Sequence, residues 1–325
     1  MSEEVRPPGA ILLTGSAGFI AGHVTRLLNQ RFPNRRVVGL DIAETPASRC
    51  AVAVRGDLLD CDIASVIREQ GVTHIVHLAA LCKEPGFPWR DYFRVNAQGT
   101  DRLIDAASDC GVRSIVFTST MMVFAAGPSR RAEDDLCDPD TAYGMSKLLA
   151  ERSLLQWQSS APRRRLSIIR PGVVFGPGDY GNMTRLVHAV RRRSFAFMGR
   201  SDTKKGCIYV TDLAELIVSS LAAGESSEIL HAVYPEETSI RDIVQAIADA
   251  WGIRRSPPTV PYGLALALAS IVALFDPLGR RFAIHPRRIQ KLYNDTNIST
   301  KRLVSRGWKP QFTLEDAFRD WRARQ

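Results

Sequence analysis

The stretch Ala10-Ile-Leu-Leu-Thr-Gly-Ser-Ala-Gly-Phe-Ile-Ala-Gly22 constrains this chain more than any other. An apolar run enters a glycine turn at Gly15 and Gly18, and a helix-like pattern follows from Phe19. Such a turn aims backbone N–H groups and the positive end of a helix dipole at an anion, and glycine lets the anion come close. At the head of a series of strand–helix units it reads as a dinucleotide site, with Gly15, Ala17, Gly18, Phe19 and Ile20 as cofactor-binding residues. The third small position is Ala21, with Gly22 beside it, so the turn alone leaves open a strand–helix corner without ligand. The next strand-like run ends in Asp41, about 20 residues past the glycines, where a carboxylate accepts hydrogen bonds from the adenosine ribose. That acid repels a 2′-phosphate and favours NAD, while Arg35, Arg36 and Arg49 nearby leave NADP open.

Strand-like runs at 10–14, 36–41, 51–55, 73–78, 114–119 and 166–170 alternate with helical stretches near 19–31, 61–70, 90–110 and 141–158. This alternation predicts an α/β fold with a Rossmann-type, doubly wound parallel sheet and the ligand at the carboxyl ends of its strands. After Arg170 the content of Gly, Pro and Arg rises, and helices are expected at 182–192, 211–222, 239–251 and 313–322. The expected division is a cofactor domain over 1–170 and a smaller, mainly substrate-binding lobe over 171–325, partly built back onto the first sheet. Residues 262–275, between Pro261 and Pro277, are nearly all apolar. They are too few for a bilayer, which takes about 20. Two readings remain: a buried helix, or a helix lying on a membrane with Arg280 and Arg281 near phosphates.

The 325 residues carry a net charge of +9, split into −2 over residues 1–162 and +11 over 163–325. A basic second half suits an anionic partner: nucleic acid, an acidic membrane surface or a diphosphate substrate. Nucleic acid is not expected, because no basic patch is interleaved with aromatic residues for base stacking. Six scattered cysteines without a C-x-x-C pair, and a polar start over residues 1–8, point to a reducing, cytoplasmic setting and to no metal site.

Tyr143 and Lys147 form Tyr-x-x-x-Lys at a predicted helix start, and the spacing puts both on one face. A lysine cation beside a phenol is expected to lower the phenol pKa, so that it can take a proton from an alcohol while a hydride leaves the carbon. The hydroxyl cluster Thr118-Ser119-Thr120 closes the fifth predicted strand at the same crevice.

Taken together, these motifs resemble the extended short-chain dehydrogenase/reductases of the NAD-dependent sugar epimerase/dehydratase family. The resemblance covers nearly the whole chain. It runs through Thr14-Gly-Ser-Ala-Gly-Phe-Ile20, Gly56-Asp-Leu58, His77-Leu-Ala-Ala80, Val95-Asn-x-x-Gly-Thr100 and Phe117-Thr-Ser-Thr-Met-Met-Val-Phe124. It continues through Tyr143-Gly-Met-Ser-Lys147, Ile169-Arg-Pro-Gly-Val-Val-Phe-Gly-Pro177, Tyr209-Val-Thr-Asp-Leu213, Gly307-Trp-Lys-Pro310 and Thr313-Leu-Glu315. The resemblance implies that Asp57 and Leu58 meet the adenine and that Leu78, Ala79 and Ala80 line the diphosphate and ribose. It makes Asn96 a support on the nicotinamide side, and Thr120, Tyr143 and Lys147 the catalytic set. Asn182 and Lys205 match positions that hold a sugar-nucleotide diphosphate, with Arg287, Arg288 and Lys291 as further candidates. A homodimer, paired through the helices near 90–110 and 141–158, is implied as well.

Departures from the family pattern narrow the reaction. Sugar 4,6-dehydratases of the family carry Asp-Glu directly after the catalytic Thr, whereas Met121 and Met122 stand here and cannot transfer protons. What remains is chemistry at one carbon: a 4-epimerase or 4-ketoreductase acting on a nucleotide- or polyprenyl-diphosphate-linked hexose. Segments of the second lobe, including Gly181-Asn-Met183 and Phe197-Met-Gly199, resemble enzymes of undecaprenyl-diphosphate-linked N-acetylglucosamine and O-antigen sugar reductases. A hydroxysteroid-type dehydrogenase with the apolar helix as lid, and a non-catalytic NAD-sensing or RNA-binding protein, are the alternatives.

Overall fold

The strand β1 (Ala10–Thr14) is buried throughout, sending Ala10 and Leu12 into one apolar cluster and Ile11 and Leu13 into another. A strand buried on both faces needs cover on both, and parallel pairing with helical crossovers supplies it. The computed structural model describes residues 9–222, 227–273 and 286–325. The strands β2 (Val37–Asp41), β3 (Val52–Arg55), β4 (Val72–His77), β5 (Ser114–Thr118) and β6 (Arg165–Pro171) follow. Between and after them come α1 (Phe19–Arg31), α2 (Ile63–Gln70), α3 (Trp89–Tyr92), α4 (Gly99–Asp109) and α5 (Ala142–Ser159). The remaining strands are β7 (Val173–Phe175), β8 (Phe197–Met198), β9 (Cys207–Tyr209), β10 (Glu228–Ala232) and β11 (Thr259–Val260). The remaining helices are α6 (Asn182–Arg191), α7 (Val210–Ala222), α8 (Ile240–Trp251), α9 (Tyr262–Ala273), α10 (Pro286–Tyr293), α11 (Lys301–Ser305) and α12 (Leu314–Ala323).

The main sheet is parallel throughout, in the order β10-β6-β5-β4-β1-β2-β3. Strand order reverses between β1 and β4, which opens the crevice where doubly wound sheets bind ligands. Residues of α2, α4 and α5 fill the cluster on one face, and α1 and α7 cover the other. Limits of the six expected strands fall within about one residue of those expected, because short β-rich runs between turns are easily read. Asp62 and Thr141 cap α2 and α5 by accepting the N–H groups of Ser65 and Gly144.

Three features depart from expectation. The single helix expected over 90–110 is broken into α3, a π-helical turn (Phe93–Gln98) and α4. β10, outside the expected strands, pairs with β6 over five residues and so ties the second lobe into the first sheet. The apolar stretch from 262 is a helix to Ala273, with residues 274–275, Pro277, Arg280 and Arg281 outside the described residues. It is not buried as a whole: Ala265 and Ala269 are covered, while Leu264, Leu268 and Ile271 face solvent. Among the described residues no helix is long and apolar enough to cross a membrane.

Candidate active site

Gly15 leaves β1 with φ of +70°. A β-carbon there would lie 2.7 Å from the Ala79 backbone nitrogen, so only glycine lets the turn close on the segment after β4. Gly18 is the N-cap of α1, which has neither a side-chain cap nor an acidic residue in its first turn. Its first N–H groups therefore point into the crevice with nothing negative from the helix to meet them. The Asp41 carboxylate closes β2 and accepts the N–H groups of Ala17 (3.0 Å) and Ala43 (2.9 Å). It thus stands beside the glycine turn, as a ribose-binding acid must. Phe19 and Ile20 open α1, with Phe19 against Gly178. Asp57 and Leu58 follow β3; Asp57 accepts the Leu59 N–H, and Leu58 packs beneath Gly99.

The arginines that left NADP open are engaged elsewhere. Arg35 donates towards His74 and Arg36 to the Gln70 carbonyl, both ahead of β2, at the end of the sheet away from the crevice. Arg49 donates to the carbonyls of Ser16, Ala17 and Gly18 at 3.0–3.1 Å and braces the turn from behind. Gly22 leaves it room, since a β-carbon there would sit 3.1 Å from its guanidinium. That accounts for the small residue beside Ala21.

A buried relay links this turn to the catalytic helix. Burial pushes the His77 imidazole down to about 3 and keeps it neutral. Thr14 donates to His77 Nδ1 (2.7 Å), His77 Nε2–H to Thr100 (2.9 Å), and Thr100 to the Asn96 carbonyl (2.6 Å). The Asn96 amide holds both backbone groups of Leu81 and donates to Ser146 Oγ (3.0 Å), which donates to the Tyr143 carbonyl. Asn96 spends its side chain on protein partners, fixing the segment after β4, with Leu78, Ala79 and Ala80, against α5.

Thr120 lies just past β5 and caps a 3-10 turn, accepting the Met122 N–H at 3.1 Å and leaving its own proton to donate. Tyr143 lies in the first turn of α5, where the Thr120 hydroxyl favours its ionised form. The expected lowering of the phenol pKa does not appear in the protein's own groups. Burial pushes Tyr143 up, and only Thr120 acts the other way. Lys147 is 1% exposed, with Nζ 3.9 Å from the centre of the Phe117 ring. Burial lowers its pKa to about 7, against the pull of Glu151 one turn on. The hydroxyls of Thr118 and Ser119 are buried without protein partners. Two unsatisfied hydroxyls at the end of β5, a buried ammonium on α5 and an uncapped helix N-terminus after β1 fit the needs of a hydroxyl-rich, anionic dinucleotide.

The substrate-side candidates lie in the second lobe. Asn182 opens α6, is exposed, and accepts from Arg185. Lys205 is buried, and its ammonium donates to the Asn294 carbonyl at 2.6 Å. The next residue, Gly206, places a notional β-carbon 3.6 Å from Met121 Sδ, so this strand passes beside the catalytic turn. Arg287, Arg288 and Lys291 belong to α10, but their side chains lie outside the described residues.

Two positioning roles were not read from the sequence. A β-carbon on Gly144 would lie 2.0 Å from the Met122 carbonyl oxygen, so this glycine lets the Thr120 turn rest on α5 and meet Tyr143. Buried Glu151 is gripped by Arg170 through Nε (2.9 Å) and a second nitrogen (2.6 Å). Both glycine and acid sit within one turn of a motif residue, but only the folded packing shows what they touch.

Comparison with known proteins agrees with this geometry. Residues 11–232 match the model of the NAD dependent epimerase/dehydratase family. The chain is 27% identical to the N-acetyl-alpha-D-glucosaminyl-diphospho-ditrans,octacis-undecaprenol 4-epimerase of Escherichia coli O157:H7, over 94% of this chain and 91% of that one. It is 26% identical to a 3 beta-hydroxysteroid dehydrogenase/Delta 5-->4-isomerase of Mycobacterium tuberculosis, over 95% and 88%. Among solved structures, MoeE5 in complex with UDP-glucuronic acid and NAD superposes with a TM-score of 0.76 at 25% identity, covering 97% of this chain and 99% of the other. The chain belongs to the NAD-dependent epimerase/dehydratase family.

Proposed function

We propose that this protein is an NAD-dependent 4-epimerase, or one-way 4-ketoreductase, of a diphosphate-linked hexose. The observation that carries the reading is the turn that sets Thr120 to favour the Tyr143 phenolate and continues with Met121 and Met122. A proton-transferring phenol, with methionines in the two places where a dehydratase carries its second acid and base, serves chemistry at a single carbon and does not eliminate water across two. When bound, NAD supplies the hydride acceptor and donor. Tyr143 takes the C4 hydroxyl proton and returns it, so the sugar ends with its protons unchanged. Thr120 orients the C4 oxygen and passes its hydrogen bond between that oxygen and the phenol. Lys147, with Thr118 and Ser119, holds the ribose side. Asp41, Asp57 and Leu58 hold the adenosine; Asn182, Lys205 and Arg288 serve the substrate diphosphate.

In this reading residues 1–170 form the cofactor part and 171–325 the main substrate part. The relatives support both carriers: one is a 4-epimerase of an undecaprenol-linked sugar, and the MoeE5 structure holds a UDP-sugar. The steroid reading is favoured by the mycobacterial relative, but it would use the α9 apolar row as a lid, and that row faces solvent. Homodimerisation through α4 and α5 is part of the proposal, because α5 exposes Leu149 and Leu155.

The test supplies UDP-N-acetylglucosamine or the polyprenyl-diphosphate-linked sugar with NAD and no reductant, and reads C4 by NMR. Inversion with either carrier supports the epimerase. No inversion with both, in protein that binds NAD, overturns it in favour of a ketoreductase or another substrate class.

A further inference from the structure

The helix α9 reverses the usual arrangement of side chains. Its covered side consists of small residues, Ala265 (7% exposed) and Ala269 (0%), packed with Tyr262 against Ile289, Met198 and Val260. Its open side carries the large ones: Leu264 (55%), Leu268 (53%) and Ile271 (57%). Spaced i, i+4, i+7, these three make one apolar stripe. Water alone would select the opposite pattern, with leucines inward and polar residues outward. The open side of α9 offers Gly263, Ala267 and Ser270 and no charge.

The sequence on either side of this apolar row is basic. Residues 252–293 contain seven Arg or Lys and one acidic residue, Asp276. Arg254 and Arg255 are exposed in the loop that leads to β11 and α9. The helix packed along α9, α10, carries Arg287, Arg288 and Lys291 and no acid. An exposed apolar row in a basic stretch of chain, with Arg254 and Arg255 exposed, matches a bilayer that has hydrocarbon beneath anionic headgroups. A second protein is a poorer match: three side chains on a 12-residue helix fall well short of the roughly 800 Å² per partner of a stable interface.

We propose that α9 is a monotopic membrane-docking helix. It lies in the plane of an anionic phospholipid surface, with Leu264, Leu268 and Ile271 inserted and Arg254 and Arg255 at phosphate level. The face is joined to the crevice: Tyr262 stacks on Tyr293 at 4.1 Å, and the adjacent Asn294 carbonyl receives Lys205. Docking would therefore bring the diphosphate end of the crevice near the bilayer. That consequence, a membrane-borne sugar carrier as substrate, rests on the proposed function; the docking itself does not.

The experiment is flotation of the full-length protein with vesicles of phosphatidylcholine alone, or with about 30 mol% phosphatidylglycerol, at about 0.1 M salt. The wild type should float with the anionic vesicles. The variant Leu264→Gln/Leu268→Gln/Ile271→Gln should lose binding by about tenfold or more. Its melting temperature, oligomeric mass and turnover of UDP-N-acetylglucosamine should stay the same. Arg254→Glu/Arg255→Glu, which leaves the stripe intact, should weaken binding to anionic vesicles severalfold. The proposal fails if the wild type stays with the soluble fraction, or if either variant floats like the wild type. It also fails if the glutamine variant drops to a smaller oligomer, since the stripe would then join copies of the chain. Because turnover of the water-soluble sugar is read separately, failure of docking and failure of the 4-epimerase reading are told apart.

Discussion

At the scale of single residues, the proposed catalytic set is a contest between burial and charge. Spacing alone suggests that Lys147 lowers the Tyr143 phenol, yet both groups are buried, and burial disfavours the charged form of each. The Tyr-x-x-x-Lys pattern was legible because i and i+4 share a helix face. Desolvation was not, because it depends on what the rest of the chain lays over them. Tyr143→Phe should lower kcat by at least about 10²-fold while NAD binding, read by calorimetry, is retained. Lys147→Met should raise the melting temperature of the cofactor-free protein and abolish turnover, as expected where function retains a costly buried group. The pH dependence has a defined sign. A lysine lowered to about 7 in the fold binds fewer protons than the unfolded chain between there and about 10. Wild-type stability should therefore fall, relative to the Met variant, as pH drops from about 10 to about 7, and level off below. Parallel melting curves across that window would contradict the assignment.

At the scale of elements, the catalytic geometry depends on how closely α5 approaches the turn after β5. Gly144 permits that approach, and it was visible in the sequence only as a spacer in Tyr143-Gly-Met-Ser-Lys147. Gly144→Ala should push the Met122 carbonyl and Thr120 away, costing about 10²-fold in kcat with the circular dichroism spectrum unchanged. One turn further along the same face of α5, Glu151 pairs with Arg170 almost without exposure to solvent. Removing one partner, as in Arg170→Met, should destabilise by about 3–5 kcal/mol, and the double variant Arg170→Met/Glu151→Leu should recover much of that in denaturant titrations. Equal losses in the single and double variants would mean that Arg170 matters for packing and not for pairing. The sheet strands were legible because they are apolar runs between turns. The break in the helix over 90–110 was not, since the π-helical turn carrying Asn96 answers to contacts with Leu81 and Ser146, not to local preference. The α9 stretch could not be placed by composition, because leucines and alanines read alike until one set is seen covered and the other bare.

At the scale of the whole molecule, the direction of the sheet decides cofactor choice. Arg35 and Arg36 look close to Asp41 in sequence, but a five-residue strand separates them, and they end on opposite edges of the layer. With the Asp41 carboxylate at the adenosine end, NAD should bind at least about tenfold more tightly than NADP in a titration of the purified protein. Equal affinities would mean that Arg55, paired in register with Asp41 and bonded to the Ile42 carbonyl, meets the 2′-phosphate. The pairing of β10 with β6 has a further consequence for how the chain can be divided. A fragment ending near residue 170 would keep every glycine and catalytic residue of the cofactor part, yet leave β6 as an open rim. Its buried run Leu166-Ser-Ile-Ile169 would lack both its neighbouring strand and the α7 cover. Bare apolar rims of this kind recruit other chains edge to edge. The two parts are thus mutually dependent, and an attempt to graft the second lobe of a relative onto this one must carry β10 across with it.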